Sequence, residues 1–297
     1  MPKVLILSEP HGRLTLQSVA KETLGKGEIL VKNVAVALNP IEWKQVELNI
    51  FVPFYPFILG ADIAGIVEEV GEGVQNFKKG DKVYGLPPRF VNRSGAYQEY
   101  TVAVAELIGK IPDNITFAQA ATIAGGAVTA ALGLFRALQL PAPFKGPVTL
   151  PTDTILIWGA STSVGAYAVQ LARIVGFKNI IATSSPSNFD YVTSLGATRV
   201  FDYKDPSVFD SIKSATGNQL SLILDANGSH EVSMKALGEQ GGDVASTLSQ
   251  QNYSVGNVNI KGIYAASVFE VSSQNDVILM VFIERTTTRK GSLSLFV

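Results

Sequence analysis

Cysteine is missing from this chain of 297 residues, so it can form no disulfide and offer no thiolate to a metal. Histidine is nearly missing too. His11 and His230 are the only two, whereas a catalytic zinc usually takes three protein ligands from His, Cys and carboxylates. His11 falls in the turn-forming Pro10–Gly12 and His230 follows a strand end. Neither has metal-ligand spacing, so both read as solvated or capping residues and no metal site is expected. Charge is scarce and balanced, at 16% of residues with a net of −1, which removes the electrostatic case for nucleic acid or an anionic membrane. The N-terminal "MPKVLILSEP" has only four apolar residues (Val4–Leu7) before Glu9 and reads as a first strand rather than a signal-peptide core. From Asp113 to Arg136 no charge intervenes. The length would span a bilayer, but the Ala, Gly and Thr content, Gln119 and the Gly125–Gly126 pair weaken insertion. Buried helices of a soluble, cytoplasmic protein are predicted there.

What is present is a 46% apolar content, enough for a sizeable core in one large or two smaller domains. The first part of the chain has strand-and-turn character, as in "EILVKNVAVALN" (28–39), "ADIAGIVEEVGEG" (61–73) and "FKKGDKVYG" (77–85). After the Pro-rich "LPAPFKGPVTLP" (140–151) the pattern alternates. "TILIWGA" reads as a strand, "VGAYAVQLARIVG" as a helix, "NIIATSS" as a strand and "FDYVTSLGA" as a helix. Further strands are expected in "RVFDY", "LSLILDANG" and "GGDVASTLS". That alternation predicts βαβ units and a parallel sheet.

The junction "ILIWGASTSVGAYAVQLAR" (155–173) is the richest segment. Val164, Ala168, Leu171 and Val175 recur at helical spacing and can face a sheet. Exposed amides at the helix start, with its dipole, suit a pyrophosphate. Yet the run from Gly159 to Gly165 is not G-x-G-x-x-G, so a nucleotide grip and a merely structural turn both stay open at this point. The next strand end bears on the choice. A free ribose there calls for an acid about 20 residues beyond the first glycine. Instead the chain offers Thr183, Ser184, Ser185, Ser187 and Asn188, with no acid before Asp190. Hydroxyls and an amide without a carboxylate favour a 2′-phosphate, hence NADP(H), with Lys178 and Lys204 expected to add positive potential.

In order along the chain, "LNPIEWK" (38–44), "LGADIAGIVEEVGEGVQNFKKGDKVYG" (59–85), "GAYQEYTVA" (95–103) and "AGGAVTAALGLF" (124–135) resemble the medium-chain dehydrogenase/reductase superfamily. So do "GASTSVGAYAVQLA" (159–172), "SSPSNFDYVTSLGATRVFDY" (184–203) and "LDANG" (224–228). The likeness is to its zinc-independent quinone-reductase and enoyl-reductase branch, including fungal trans-acting enoyl reductases of the TOXD-type dehydrogenase kind. Where zinc-dependent relatives carry Gly-His-Glu, this chain reads Gly60-Ala61-Asp62. The resemblance implies an α/β protein with a GroES-like, β-rich substrate domain (1–118), a doubly wound Rossmann domain (119–262) and a cleft between them. It also implies that the C-terminal return, here 263–297, is shortened.

By position, the resemblance places Ser161, Thr162, Ser163 and Val164, with Gly165, on the pyrophosphate. Ser184, Ser185, Pro186, Ser187 and Asn188 would meet the 2′-phosphate, and Tyr203 would pack beside the adenine. Ile41, Glu42, Trp43 and Lys44 would flank the nicotinamide half, and Thr129 would line the substrate side. Lys44 is the expected polar handle on the ribose or substrate carbonyl, with Asn39 beside it. Asp62 is expected to be a buried carboxylate that orients a neighbour or bonds to backbone. Tyr97 and Tyr100 are expected to pack rather than donate protons. The implied activity is NADPH-dependent hydride transfer to an activated C=C or a quinone in secondary metabolism, by a monomer or homodimer acting on a small molecule or a carrier-bound acyl chain. The alternative is a catalytically weak NADP(H)-binding subunit of a synthase.

Overall fold

The computed structural model describes residues 1–88, 90–143, 148–227, 230–248 and 251–264. The expected C-terminal segment 263–297 lies, beyond residue 264, outside the described residues. The chain divides into two compact units, one over Met1–Gly125 and the other beginning at Gly126. The division falls after 118 because helix α2 (Phe117–Ala121) packs against strands of the first unit.

In the first unit β1 (Lys3–Leu7) and β2 (Leu14–Ser18) form a hairpin, and β4 (Phe57–Ile58) pairs with the other edge of β1. A second sheet has the order β7-β3-β5-β6-β8, all antiparallel: β3 is Glu28–Ala37, β5 Asp62–Val70, β6 Lys82–Gly85, β7 Tyr100–Val104 and β8 Ile108–Lys110. The alternating side chains of β3 and β5 send Ile29, Val31, Ile63 and Val67 into one core with Val83 and Ala103. Between β3 and β4 lies α1 (Pro40–Leu48), started by Pro40 in the first helical position and ended at Asn49 in the left-handed conformation.

The second unit carries the βαβ pattern. Its seven-stranded sheet has the order β11-β10-β9-β12-β13-β15-β14, where β9 is Thr154–Trp158, β10 Asn179–Ser184, β11 Arg199–Asp202 and β12 Leu222–Asp225. The remaining strands are β13 Gly242–Ser246, β14 Tyr253–Val255 and β15 Val258–Gly262. Every pairing is parallel except β14–β15. Strand order reverses between β9 and β12, the place where open α/β sheets bind ligands at their carboxyl ends. The helices are α4 (Ser163–Val175), α5 (Phe189–Leu195), α6 (Val208–Thr216) and α7 (His230–Leu237). Leu156, Ile181, Ile212, Ile223, Val244 and Ile260 fill the core on one sheet face.

The charge-free segment forms α2, α3 (Ala124–Ala131) and a π-helical run at Leu132–Ala137. By length and composition Phe117–Ala137 could cross a membrane, but 67% of its most apolar stretch is buried within the protein, as expected of core helices.

Candidate functional site

The turn after β9 is held from three directions. Gly159 takes φ +78°, a left-handed conformation. Its amide donates to the hydroxyl of Thr183 at 3.0 Å, and the next amide, of Ala160, donates to the Thr183 carbonyl at 2.8 Å. Thr183 is fully buried in β10, so one residue stitches the turn to the neighbouring strand through both main chain and side chain. Thr162 then caps α4: its Oγ1 accepts from the Gly165 amide at 3.1 Å and donates to the Gly159 carbonyl at 2.8 Å. At Gly165 a Cβ would stand 2.2 Å from the Gly159 carbonyl oxygen and 2.8 Å from the Ala160 Cα, so no larger residue fits without moving backbone.

The sequence left this turn open between two readings, and the geometry bears on both. Thr162 spends its hydroxyl on the cap, a structural duty. The amides of Ser163 and Val164, the first two of the helix, have no acceptor within it and sit at its positive end. Ser163 is exposed, and Ser161 and Val164 are half-buried. Across the reversal of strand order lies Asn227, whose Cβ would be 3.2 Å from a Cβ at Gly159. Its amide is held by the buried Asp225 carboxylate at 3.1 Å. Thr183, expected among the hydroxyls facing a 2′-phosphate, is instead fully buried with its hydroxyl on the Gly159 amide, and the place of Asn227 was not foreseen either. Only the strand-end "LDANG" hinted at the second, because its partner is far away in sequence.

At the end of β10, Ser184 is buried and its Oγ turns back to the Ser185 carbonyl at 3.2 Å. The solvent-facing polar groups are therefore those of Ser185, Ser187 and Asn188 in the short 3₁₀ turn that starts at Pro186. Ser184 pairs in register with Asp202 on β11, which puts an acid beside this strand end that no count along one strand could reveal. The Asp202 carboxylate accepts the Lys204 amide at 2.9 Å. Tyr203, 41% exposed, presents its ring there, with the Lys204 ammonium 5.7 Å from its centre. Lys178 corrects an expectation. It precedes β10, about 20 Å of strand from Ser184, and pairs with Asp153 at 2.8 Å. Nearness in number misled, because the strand runs away from it.

The other candidates are Asn39–Lys44 in the first unit and Thr129 in the second. Helix α1 is inside out: Glu42 and Gln45 are buried, while Trp43 and Leu48 are each 53% exposed. The Glu42 carboxylate accepts the Asn39 amide at 2.5 Å through Oε2, and the Gln45 side chain donates to the Phe51 carbonyl at 3.1 Å, which offsets part of the cost of burying these groups. Ile41 and Lys44 are half-buried, and Lys44 holds its ammonium 5.7 Å from the Trp43 ring. Asn39 donates its side-chain amide to Asp62 at 2.8 Å, and Asp62 is almost wholly buried. Thr129 is half-buried on α3. The candidates thus fall into Asn39–Lys44 at α1, Thr129 alone on α3, and the 161–165, 184–188 and 203 set at the carboxyl end of the parallel sheet.

Tyr97 packs in three apolar clusters, and burial first, then the charge of Glu42, pushes its phenol well above the usual tyrosine range. His11 binds the Glu47 carbonyl at 3.0 Å through Nδ1, and His230 meets the Tyr253 hydroxyl. Among the described residues no group of three or more His, Cys, Asp or Glu is placed to hold a metal.

Residues 25–113 match the family described as "Alcohol dehydrogenase GroES-like domain", and residues 163–272 match "Zinc-binding dehydrogenase". The chain is 34% identical to trans-enoyl reductase ACTTS2 of Alternaria alternata, over 90% of this chain and 79% of that one. With trans-enoyl reductase TOXD of Cochliobolus carbonum it shares 35% identity, over 87% of this chain and 86% of the other. The chain is a medium-chain dehydrogenase/reductase. A further relative, dehydrogenase pigH of Monascus ruber, is 47% identical over 62% of this chain, and the match spans about half (52%) of the pigH length.

Among solved medium-chain dehydrogenase/reductase folds, the quinone oxidoreductase of Pseudomonas syringae superposes with a TM-score of 0.76 at 26% identity, over 96% of this chain and 88% of that one. The Escherichia coli quinone oxidoreductase, solved in complex with NADPH, gives 0.74 at 19%, over 99% and 89%. At 159–165 the missing side chain of Gly165 lets α4 pack directly on the Gly159–Ala160 backbone, and the first amides of α4 with its dipole could hold a phosphate.

Proposed function

We propose that this protein is a zinc-independent, NADPH-dependent reductase that delivers hydride to a polarised C=C of an enoyl or enone substrate, or to a quinone, in fungal secondary-metabolite or toxin biosynthesis. The observation that carries the proposal is the glycine-tight turn at 159–165 with its capped helix. The names of the trans-enoyl reductase relatives support the substrate class.

When bound, the nicotinamide supplies the hydride. The chain's own residues bind and orient. The free amides of Ser163 and Val164, with Ser161 beside them and Thr162 and Gly165 shaping the turn, hold the pyrophosphate. Ser185, Ser187 and Asn188 bond the 2′-phosphate beside Ser184 and Pro186, and Tyr203 packs against the adenine. Ile41–Lys44 flank the nicotinamide half, with Lys44 on the ribose or substrate carbonyl. Asn39 supports that segment, and Thr129 lines the substrate side. Tyr97, held protonated by burial, is a poor acid, which favours water as the source of the closing proton. A reaction without metal is supported by the donor set. The sequence has no cysteine, both histidines are engaged elsewhere, and both oxygens of Asp62 already accept N–H groups. The substrate is a small molecule or a carrier-bound acyl chain. The protein works in the cytoplasm as a monomer or homodimer, without nucleic acid or membrane.

The test is a fluorescence titration with NADPH and NADH, followed by NADPH oxidation across a panel of small enones and quinones. NADPH is expected to bind at least tenfold more tightly, about 1.4 kcal/mol, within reach of two or three hydrogen bonds to a phosphate. Equal affinities would remove the 2′-phosphate assignment. Tight binding with no turnover on any acceptor would favour a cofactor-binding subunit of a synthase instead.

A further inference from the structure

One buried carboxylate joins two segments that lie far apart in the chain. Asp62 opens β5 with 2% of its surface exposed. Its Oδ2 accepts the side-chain amide of Asn39 at 2.8 Å, and its Oδ1 accepts the backbone amide of Gly125 at 2.6 Å. Asn39 caps α1, whose first turn holds Ile41–Lys44. Gly125 lies in the first turn of α3 and is the last residue of the first unit. The fit is tight, since a Cβ on Gly125 would meet Oδ2 at 2.5 Å.

We infer that Asp62 is a positioning residue, a brace that locks the start of α1 to the backbone at Gly125 within the first unit and so fixes Asn39–Lys44. Only an acid of this size serves. A carboxylate presents two acceptors, whereas an asparagine keeps one oxygen and puts a donor where the second acceptor stood. Asp62→Asn therefore sets a donor against the Asn39 amide or the Gly125 amide, unless the Asn39 side chain turns over and gives up its present orientation, at nearly unchanged volume. Gly125→Ala attacks the same brace from the other end, by pushing the carboxylate aside while leaving its chemistry intact.

The inference rests on the proposed reductase reading for its catalytic consequence, and the experiment separates the two. Hydrogen exchange by mass spectrometry on the cofactor-free protein follows peptides covering 38–48 and 122–131 in the wild type, Asp62→Asn and Gly125→Ala. Faster exchange is expected in both segments in both variants, with the β9–β13 peptides unchanged. Because misplacing reacting groups by an ångström can cost about a hundredfold, kcat is expected to fall about tenfold or more. The NADPH Kd should stay within about threefold, since the phosphate grip at 159–165 lies elsewhere. Exchange that rises in only one segment, or in neither, overturns the brace, as does a wild-type kcat in Asp62→Asn. If the wild type fails to bind NADPH, the reductase reading falls and the exchange pattern alone decides the brace.

Discussion

Substituting Gly165 asks the most of the structure. A methyl added there would sit 2.2 Å from the Gly159 carbonyl oxygen and 2.9 Å from its carbon, against backbone on both counts. Since no flexible side chain can yield, either α4 or the turn must move by about an ångström to restore ordinary contact distances. Overpacking of this kind costs about 1–3 kcal/mol. Movement also strains the Thr162 cap at 3.1 Å, worth about 1 kcal/mol. Against this, alanine gains about 1 kcal/mol of helix propensity over glycine. Gly165→Ala should therefore destabilise the protein by about 1–3 kcal/mol while the sheet still folds.

Binding should suffer more than folding. Withdrawing two amides from a charged phosphate, at about 1.5–3 kcal/mol each, removes about 3–6 kcal/mol, or at least about a hundredfold in affinity. Gly165→Val should abolish binding. Ser161→Ala should lose at most one side-chain bond, about 0.5–1.5 kcal/mol. The assay is NADPH fluorescence titration, with circular dichroism as the folding control. A Gly165→Val protein that folds and binds NADPH as the wild type does would reduce the turn to a structural corner and refute the reasoning.

Elemental analysis of protein prepared without added metal should give well under one zinc per chain, with turnover surviving a chelator; stoichiometric zinc that turnover requires would defeat the metal-free reading. Asp81 pays for its burial but is held below the usual carboxylate range by Lys110 at 3.0 Å and by the Lys78 amide. Its contribution is present above the unfolded value near 4 and is lost as pH falls through the lower folded value. Asp81→Asn should therefore cost a few tenths to about 1 kcal/mol at pH 7 in urea melts, with the difference shrinking toward pH 3, and a constant difference would be the contrary result. For Tyr97 the sign reverses. Its raised value stabilises the fold below about pH 10 and the benefit drains away at higher pH, so Tyr97→Phe should resist alkaline unfolding better than the wild type. Identical alkaline melts would show that the phenol stays accessible.

The parallel sheet was legible because its signal is local. The apolar "TILIW", the small residues behind it and the 3.6-residue spacing of Val164, Ala168 and Leu171 sit side by side in sequence, and they became β9, the turn and α4. What escaped depends on partners far along the chain. Thr183 closes the turn from 24 residues away. The burial of Asp62 and its bond to backbone were expected, but not that its partners stand 23 residues back and 63 forward. Strand register, which no single-strand reading contains, brought Asp202 beside Ser184 and carried Lys178 to the far end. Helix α1 hid for another reason. Its polar residues face inward because the chain supplies them with partners, so a pattern of apolar-in and polar-out could not find its buried face.

The double hold of Thr183 on the turn has a consequence for the energetics of ligand capture. A phosphate loop that must organise around its guest spends conformational entropy at the moment of association. Here Gly159 and Ala160 are already tied to a fully buried residue of the neighbouring strand. That entropy was lost once, when the chain folded, so a phosphate bound here as proposed would meet a finished mould.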